Sequence, residues 1–508
     1  MRYLVGIDLG TSGTKTVLFD TDGKPVAAAT EEYPLYQPQN GWAEQDPADW
    51  WAAVQKTMRS VFAQSGVNAA DVAGVGISGQ MHGLVMLDGQ GKVLRRAILW
   101  CDGRTARECA EITETIGRER LIAITANPAL PGFTAGKILW VRRNEPDIYQ
   151  QCRHVLLPKD YIRFMLTGVY ATEASDASGM NLLDVTTRGW SAEILGKLQI
   201  DPAWMAKVYE SPDVTGTVHK EAAAATGLAE GTIVVGGAGD NAAAAVGMGV
   251  VREGRAFTSL GTSGVVFAHT DSVRIDPQGR VHTFCAAVPN SYTVMSCTLS
   301  AGLSLRWMRD TLYAAEAEAA KEQGVDPYIP MMDAAQEIPL GADRLLFLPY
   351  LMGERSPILD EKSRGVFFGL SAIHTKAHML RAVIEGISYS QRACVDVLRG
   401  MGLELGDMLI CGGGGKSPFW RQMLADLYGC PVCTIESTEG PALGVAILAG
   451  VGAGVYPSVA DACDGMIRKN APQQPDHAAG AAYAPYYQLY ASLYPALKDR
   501  FAALSEMK

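Results

Sequence analysis

The pentapeptide Leu-Gly-Thr-Ser-Gly occurs twice, at residues 9–13 and again at 260–264. Glycines let a backbone approach a ligand closely, and successive amides with Thr and Ser hydroxyls form a concave site for an anion such as phosphate. Two further segments share a second pattern. Gly236-Gly237-Ala238-Gly239 follows an apolar run and precedes Asp240-Asn241, while Gly412-Gly413-Gly414-Gly415 follows another and precedes Lys416-Ser417-Pro418. Each glycine run is expected to open a helix, whose first turn offers free N–H groups and partial positive charge. One copy presents a carboxylate there and the other a cation and a hydroxyl, a divergence that suits an acceptor in one and a nucleotide in the other. Cys430-Pro431-Val432-Cys433 has the spacing of a redox pair. A reactive pair places its first thiol at a helix N-terminus, whereas this one leads into a strand-like run, so structural cysteines are the better reading.

A chain that repeats one turn after about half its length is expected to be two copies of one domain facing each other. In the first copy, residues 4–9, 14–19 and 25–30 form a three-stranded meander, with Thr21-Asp22-Gly23 as its second turn. Asp46-Pro47 supplies an N-cap and a first helical residue, and the helix carries Trp50 and Trp51 inward. Residues 72–77 return as a buried strand, and residues 232–235 and 408–411 are the strands that end in the glycine runs. The boundary is expected near residues 250–254, dividing a domain 1–252 from a domain 253–508. Tyr486, Leu489, Tyr490, Leu493, Leu497, Phe501 and Leu504 form a packing stripe on a terminal helix that Pro495 kinks or restarts.

With 508 residues, 48% hydrophobic and 19% charged, the chain has the composition of a compact two-domain enzyme. A net charge of −10 without any block of like charges argues against nucleic acid as a partner. Ten scattered cysteines read as reduced thiols in a cytoplasm. Met1-Arg2-Tyr3 enters a strand-like run at once, leaving no room for a signal peptide. The uncharged stretch 441–460 contains four glycines and two prolines, so it reads as helix, turn and loop rather than a membrane span.

Read in order, the chain resembles the FGGY family of carbohydrate kinases almost end to end. Gly6-Ile7-Asp8-Leu9-Gly10-Thr11-Ser12 resembles the opening phosphate turn. Residues 132–144, with Lys137 and Trp140, and residues 365–385, with Gly369 and His378, resemble the two family signatures. Ile77-Ser78-Gly79-Gln80-Met81-His82-Gly83, Trp100-Cys101-Asp102-Gly103-Arg104, and Leu156 with Pro158-Lys159-Asp160-Tyr161 are similar to the xylulose-phosphorylating branch. The resemblance implies an α/β protein of two actin-like (ribonuclease H-like) ATPase domains, with ATP and sugar in the cleft between them. It implies Mg²⁺-dependent transfer of the γ-phosphoryl group to the terminal hydroxyl of a ketopentose, giving D-xylulose 5-phosphate from D-xylulose. Rival readings are a family member acting on ribulose, glycerol, gluconate or a deoxysugar and, more remotely, an actin-like scaffold or chaperone ATPase. A homodimer is compatible with any of these.

The same resemblance implies roles for single residues. Asp240 would be the general base and touch the sugar, although an Asp there also suits a helix N-cap. Asp8 would hold Mg²⁺, largely through water. Gly10, Thr11, Ser12 and Lys15 would cradle the β- and γ-phosphates, Lys15 standing where the family often has arginine. Gly261 and Thr262 would meet the phosphates from the second lobe, and Gly302, Gly413, Gly414 and Ser417 would flank the nucleoside. Met81, His82, Phe133 and Asn241 would contact the sugar.

Overall fold

Leu4, Val5, Ile7 and Leu9 are all fully buried along the first strand, Tyr3–Leu9, because both faces of that strand are covered. The repeated turn reverses the chain into Gly13–Asp20, and a second turn leads into Pro25–Glu32, completing the expected meander. The computed structural model describes residues 2–437 and 439–507. In it the first sheet runs Val214–Thr217, Ile233–Val235, Val72–Gly79, Tyr3–Leu9, Gly13–Asp20, Pro25–Glu32. The second runs Val432–Cys433, Asp407–Cys411, Arg255–Leu260, Gly264–Thr270, Tyr292–Thr298, His282–Cys285.

Five strands of one sheet match five of the other in order and in direction. In each, the strand that enters the Leu-Gly-Thr-Ser-Gly turn is antiparallel to its hairpin partner and parallel to the strand on its other side. Beyond these five, each sheet has an added edge strand at opposite edges, Val214–Thr217 in the first and His282–Cys285 in the second, and the first sheet also has the short strand Ala238–Gly239 beside the end of Val72–Gly79. This duplicated α/β architecture is the two-domain actin-like fold predicted from the sequence.

One helix ties the copies together. Gly440–Gly452, encoded late in the chain, lies on the central strands of the first sheet and against the helix Asp240–Gly247. The approach is backbone on backbone. A Cβ on Gly6 would stand 2.0 Å from the Ala442 carbonyl oxygen, one on Gly76 2.0 Å from that of Val445, and one on Gly444 1.9 Å from that of Ala243. No side chain fits in these gaps, so glycine is required by space rather than by backbone conformation.

Elsewhere the structure corrects three expectations. Trp50 is fully buried in the helix Pro47–Ser65, where Asp46 caps the N-terminus, but Trp51 is only half-buried. The terminal helix begins at His477 and runs unbroken to Glu506 through both Pro485 and Pro495. Packing of Tyr483, Tyr490, Leu493 and Phe501 into the second core outweighs the hydrogen bond each proline removes. Leu489 and Leu504, placed in the packing stripe by periodicity, face solvent at 45% and 52% exposure. Among the described residues no helix is long and apolar enough to cross a membrane.

Gly76→Ala is expected to lower stability by about 3 kcal/mol or more, since neither backbone can yield cheaply. A thermal-denaturation midpoint equal to that of the wild type would contradict the close seat.

Candidate active site

Asp8 is the last residue but one of the first strand, paired across the sheet with Lys15 on one side and Ser78 on the other. Burial pushes its carboxyl above the ordinary value, and the Ser78 hydroxyl and the Lys15 charge draw it part of the way back. Asp240 is the first residue of the helix Asp240–Gly247, while Gly239 takes the cap position, so capping is not its role. Its Oδ1 accepts from the Asn241 backbone N–H at 2.7 Å and from Asn241 Nδ2 at 3.0 Å, leaving Oδ2 without a protein partner. Burial, reinforced by the charge of Asp8, pushes the Asp240 pKa up to about 7 against those two donors.

Beside Asp240 lies a cluster of side chains carried by the loop after Val72–Gly79. Met81 Sδ is 3.9 Å from Asn241 Nδ2. His82 has a φ of 67°, in the left-handed region that non-glycine residues seldom adopt. Its carbonyl oxygen is pinned by two donors, Thr134 Oγ1 at 3.0 Å and Lys137 Nζ at 2.7 Å. Lys137 is fully buried, also donates to the Gly132 carbonyl at 2.7 Å, and is pushed down to about 7 by its burial, with Asp102 opposing. The His82 ring donates from Nδ1 to the Gly179 carbonyl at 2.7 Å and lies 4.6 Å from the Phe133 ring, tilted by 52°. Burial, then the Lys137 charge, pull its pKa to about 3, so the imidazole is neutral and Nε2 is a bare acceptor. Met81, His82, Phe133, Asp240 and Asn241, assigned to the sugar by resemblance, thus form one cluster.

The first phosphate turn closes on itself through the Gly10 N–H, which donates to the Gly13 carbonyl at 3.0 Å, and the Tyr33 hydroxyl donates to the Gly10 carbonyl. The Thr11 hydroxyl is engaged on both sides, accepting from Trp100 Nε1 at 3.0 Å and donating to Gln80 Oε1 at 3.3 Å. Ser12 is exposed. Lys15 Nζ makes an ion pair with Glu439 at 2.5 Å, on the segment entering the Gly440–Gly452 helix. In the second lobe a cavity of about 900 Å³ is lined by Gly261, Thr262, Gly302, Gly413, Gly414 and Ser417 together. The Gly302 N–H donates to the Gly261 carbonyl at 2.8 Å, and Thr262 Oγ1 accepts from Arg306 at 2.9 Å. The Ser417 hydroxyl caps the helix Pro418–Tyr428 by accepting from the Trp420 N–H.

Sequence reasoning missed several members of these walls. Gln80 and Trp100 stood within quoted motifs, but nothing in their spacing said that they would grip Thr11. Tyr328, Met332 and Phe419 line the second-lobe cavity, and only Phe419 adjoins a motif that could have pointed to it. Cys430 and Cys433 are buried, and burial pushes the Cys430 thiol up to about 11, as expected of structural cysteines. All ten cysteines are unpaired.

A duplicated actin-like fold with paired carboxylates beside one phosphate turn and a cavity beside the other defines a phosphotransferase-type site. Residues 3–247 match the N-terminal domain of the FGGY family of carbohydrate kinases, and residues 256–453 match its C-terminal domain. The chain is 39% identical to a xylulose kinase of Bacillus subtilis over 508 residues, covering 100% of both chains. It is 41% identical to a xylulose kinase of Escherichia coli, over 97% of this chain and 99% of that one. A crystal structure of a xylulose kinase from Rhodospirillum rubrum superposes with a TM-score of 0.92 at 30% identity, covering 99% of this chain and 100% of the other. The chain belongs to the FGGY family of carbohydrate kinases.

Lys137→Met fills the same volume but removes both bonds from the ammonium, leaving the Gly132 carbonyl orphaned and His82 less firmly held. Stability is expected to fall by about 1–3 kcal/mol. An unchanged thermal midpoint would show that the pin on His82 is dispensable.

Proposed function

We propose that this protein transfers the γ-phosphoryl group of ATP to the terminal hydroxyl of D-xylulose, with Asp240 as general base. The observation that supports this most directly is the free Asp240 Oδ2 beside the Met81–His82–Phe133 cluster, with Oδ1 occupied by Asn241. One oxygen orients the carboxylate and the other is available to a substrate hydroxyl. A pKa near 7 suits a group that must take a proton at neutral pH and release it again. The full-length relatives named above are xylulose kinases, which favours this ketopentose over the other acceptors of the family.

In the proposed reaction Asp240 Oδ2 accepts the proton of the terminal hydroxyl as that oxygen bonds to the γ-phosphorus. The bond from phosphorus to the bridging oxygen of ATP breaks, and ADP leaves. Phosphoryl transfer of this kind depends mainly on positioning and charge neutralisation. Met81 packs against the carbon chain, His82 and Asn241 hold hydroxyls, and the two glycine turns approach the phosphates through backbone N–H groups. Lys15 exchanges Glu439 for phosphate oxygens when nucleotide enters. Thr11 serves through its backbone, since its hydroxyl is engaged by Gln80 and Trp100.

A divalent cation fits beside these residues. Asp8 and Asp240 repel one another in a poorly solvated site, and a cation accompanying the nucleotide relieves that repulsion. We assign Asp8 to hold Mg²⁺, which would neutralise charge on the transferring phosphates. The ten unpaired thiols suit a reducing compartment, in line with the cytoplasm expected from the sequence.

The test is ADP formation with MgATP against D-xylulose, D- and L-ribulose, glycerol, gluconate and no acceptor. Turnover is expected to be largest with D-xylulose, to vanish with EDTA, and to fall about 10²–10⁴-fold in kcat for Asp240→Asn. A greater rate with another acceptor would overturn the sugar. Hydrolysis indifferent to every acceptor would overturn the kinase assignment, and an Asp240→Asn variant of normal kcat would remove the base.

A further inference from the structure

The added edge strand of the second sheet, His282–Cys285, is bonded to the first lobe. Asn127 Nδ2 donates to the Thr283 carbonyl at 2.9 Å, and the Cys285 N–H donates to Ser178 Oγ at 3.1 Å. This strand brings two second-lobe rings to the sugar cluster. The His282 ring lies 5.8 Å from Phe133 and 5.8 Å from Phe284, and Phe284 lies 6.1 Å from His82.

The protonation of His282 is fixed by its neighbour. Asn127 Nδ2 is committed to two carbonyl acceptors, Thr125 at 3.0 Å and Thr283 at 2.9 Å, so its Oδ1 must be the atom 2.8 Å from His282 Nδ1. An amide oxygen only accepts, hence Nδ1 carries the proton and Nε2 carries a lone pair. Burial, with the Arg355 charge second, pulls the His282 pKa to about 3 and keeps the ring neutral. The side chain is 5% exposed, its Nε2 has no protein partner, and that atom is not sealed from solvent. His82 reaches the same state by a different route, donating from Nδ1 to Gly179. Phe133 therefore stands between two neutral imidazoles, one from each lobe, each offering a bare Nε2. A ligand rich in hydroxyl donors supplies the partner that the protein itself gives neither Nε2.

We propose that His282 Nε2 accepts a hydrogen bond from a hydroxyl of the acceptor sugar, so that the second lobe takes part in sugar recognition. This deepens the reading of the Met81–His82–Phe133 cluster as the sugar pocket and rests on it. The acceptor is then held from both lobes, and a sugar lacking the hydroxyl that reaches His282 loses one of its two imidazole contacts.

Two substitutions separate recognition from mere tethering. His282→Asn puts an amide nitrogen where Nδ1 was, keeping the bond to Asn127 and deleting the acceptor. His282→Gln reaches the Nε2 position with a carbonyl oxygen and gives up the bond to Asn127. The measurement is the KM for D-xylulose and for ATP by ADP release, with thermal midpoints recorded alongside. For His282→Asn the KM for D-xylulose is expected to rise about tenfold, the worth of one neutral hydrogen bond, with the KM for ATP and the midpoint unchanged. His282→Gln is expected to stay closer to the wild type in KM while losing some thermal stability. The proposal is overturned if His282→Asn keeps the wild-type KM, or if His282→Gln is the worse of the two in KM, the order a structural tether would give. If the wild type acts on a different acceptor, the D-xylulose reading falls, and the same comparison run with that acceptor still decides the role of His282.

Discussion

The seat of the Gly440–Gly452 helix on the first sheet is the contact from which the active site takes its shape. It joins a late segment of the chain to the strands that hold Asp8, and its far side supports the helix that begins with Asp240. Because Gly6, Gly76 and Gly444 let backbone meet backbone, the separation of these elements is set by main-chain atoms. Interiors packed so closely transmit strain rather than absorb it. The distance between the two carboxylates is therefore a property of the fold, as their electrostatic coupling requires. Glu439, immediately ahead of the same helix, reaches Lys15 of the phosphate turn, so the seat also touches the nucleotide side of the cleft.

A second layer of polar contacts orients the turn before Asp240. Ser175 Oγ accepts from the Gly239 N–H at 3.2 Å and donates to Glu173 Oε1 at 3.0 Å. Glu173 is fully buried and also accepts from the Ser175 and Asp176 amides and from the Ser211 hydroxyl. Lys159, buried with it, pairs with Asp160 at 2.7 Å and Glu173 at 3.2 Å. Buried ions so arranged contribute little net stability but hold their neighbours in one geometry. Here what they hold is the backbone that leads into Asp240. The proposed sugar site follows the opposite rule, with two uncharged imidazoles whose lone pairs suit hydroxyl donors.

Local features of the site were legible in the sequence, and long-range ones were not. The repeated turn, the glycine runs and the meander are short patterns whose residue types dictate backbone shape, and all formed as expected. The repeat even shows where the copies part: Asp8 in the first corresponds to Ser259 in the second, which removes one carboxylate from the nucleotide side. The seat of the helix could not be read, since Gly444 is hundreds of residues from Gly6 and Gly76 and each alone is an ordinary glycine. His282 sits in no recognisable pattern, and its place depends on an added edge strand pairing beyond the common five. The terminal helix runs on where local propensity counts two prolines against it, because Tyr483, Tyr490, Leu493 and Phe501 are held by a tertiary core.

In the proposed reaction the work is divided between the lobes, with the sugar hydroxyl delivered to Asp240 and the nucleotide held across the cleft. This division is tested most directly by a crystal structure with D-xylulose and a non-hydrolysable ATP analogue bound together with Mg²⁺. The account predicts the sugar against Met81, His82 and Asn241, its terminal hydroxyl on Asp240 Oδ2, and the nucleoside in the cavity beside Gly302 and Gly413. A sugar bound away from Asp240, or a nucleoside outside that cavity, would contradict it.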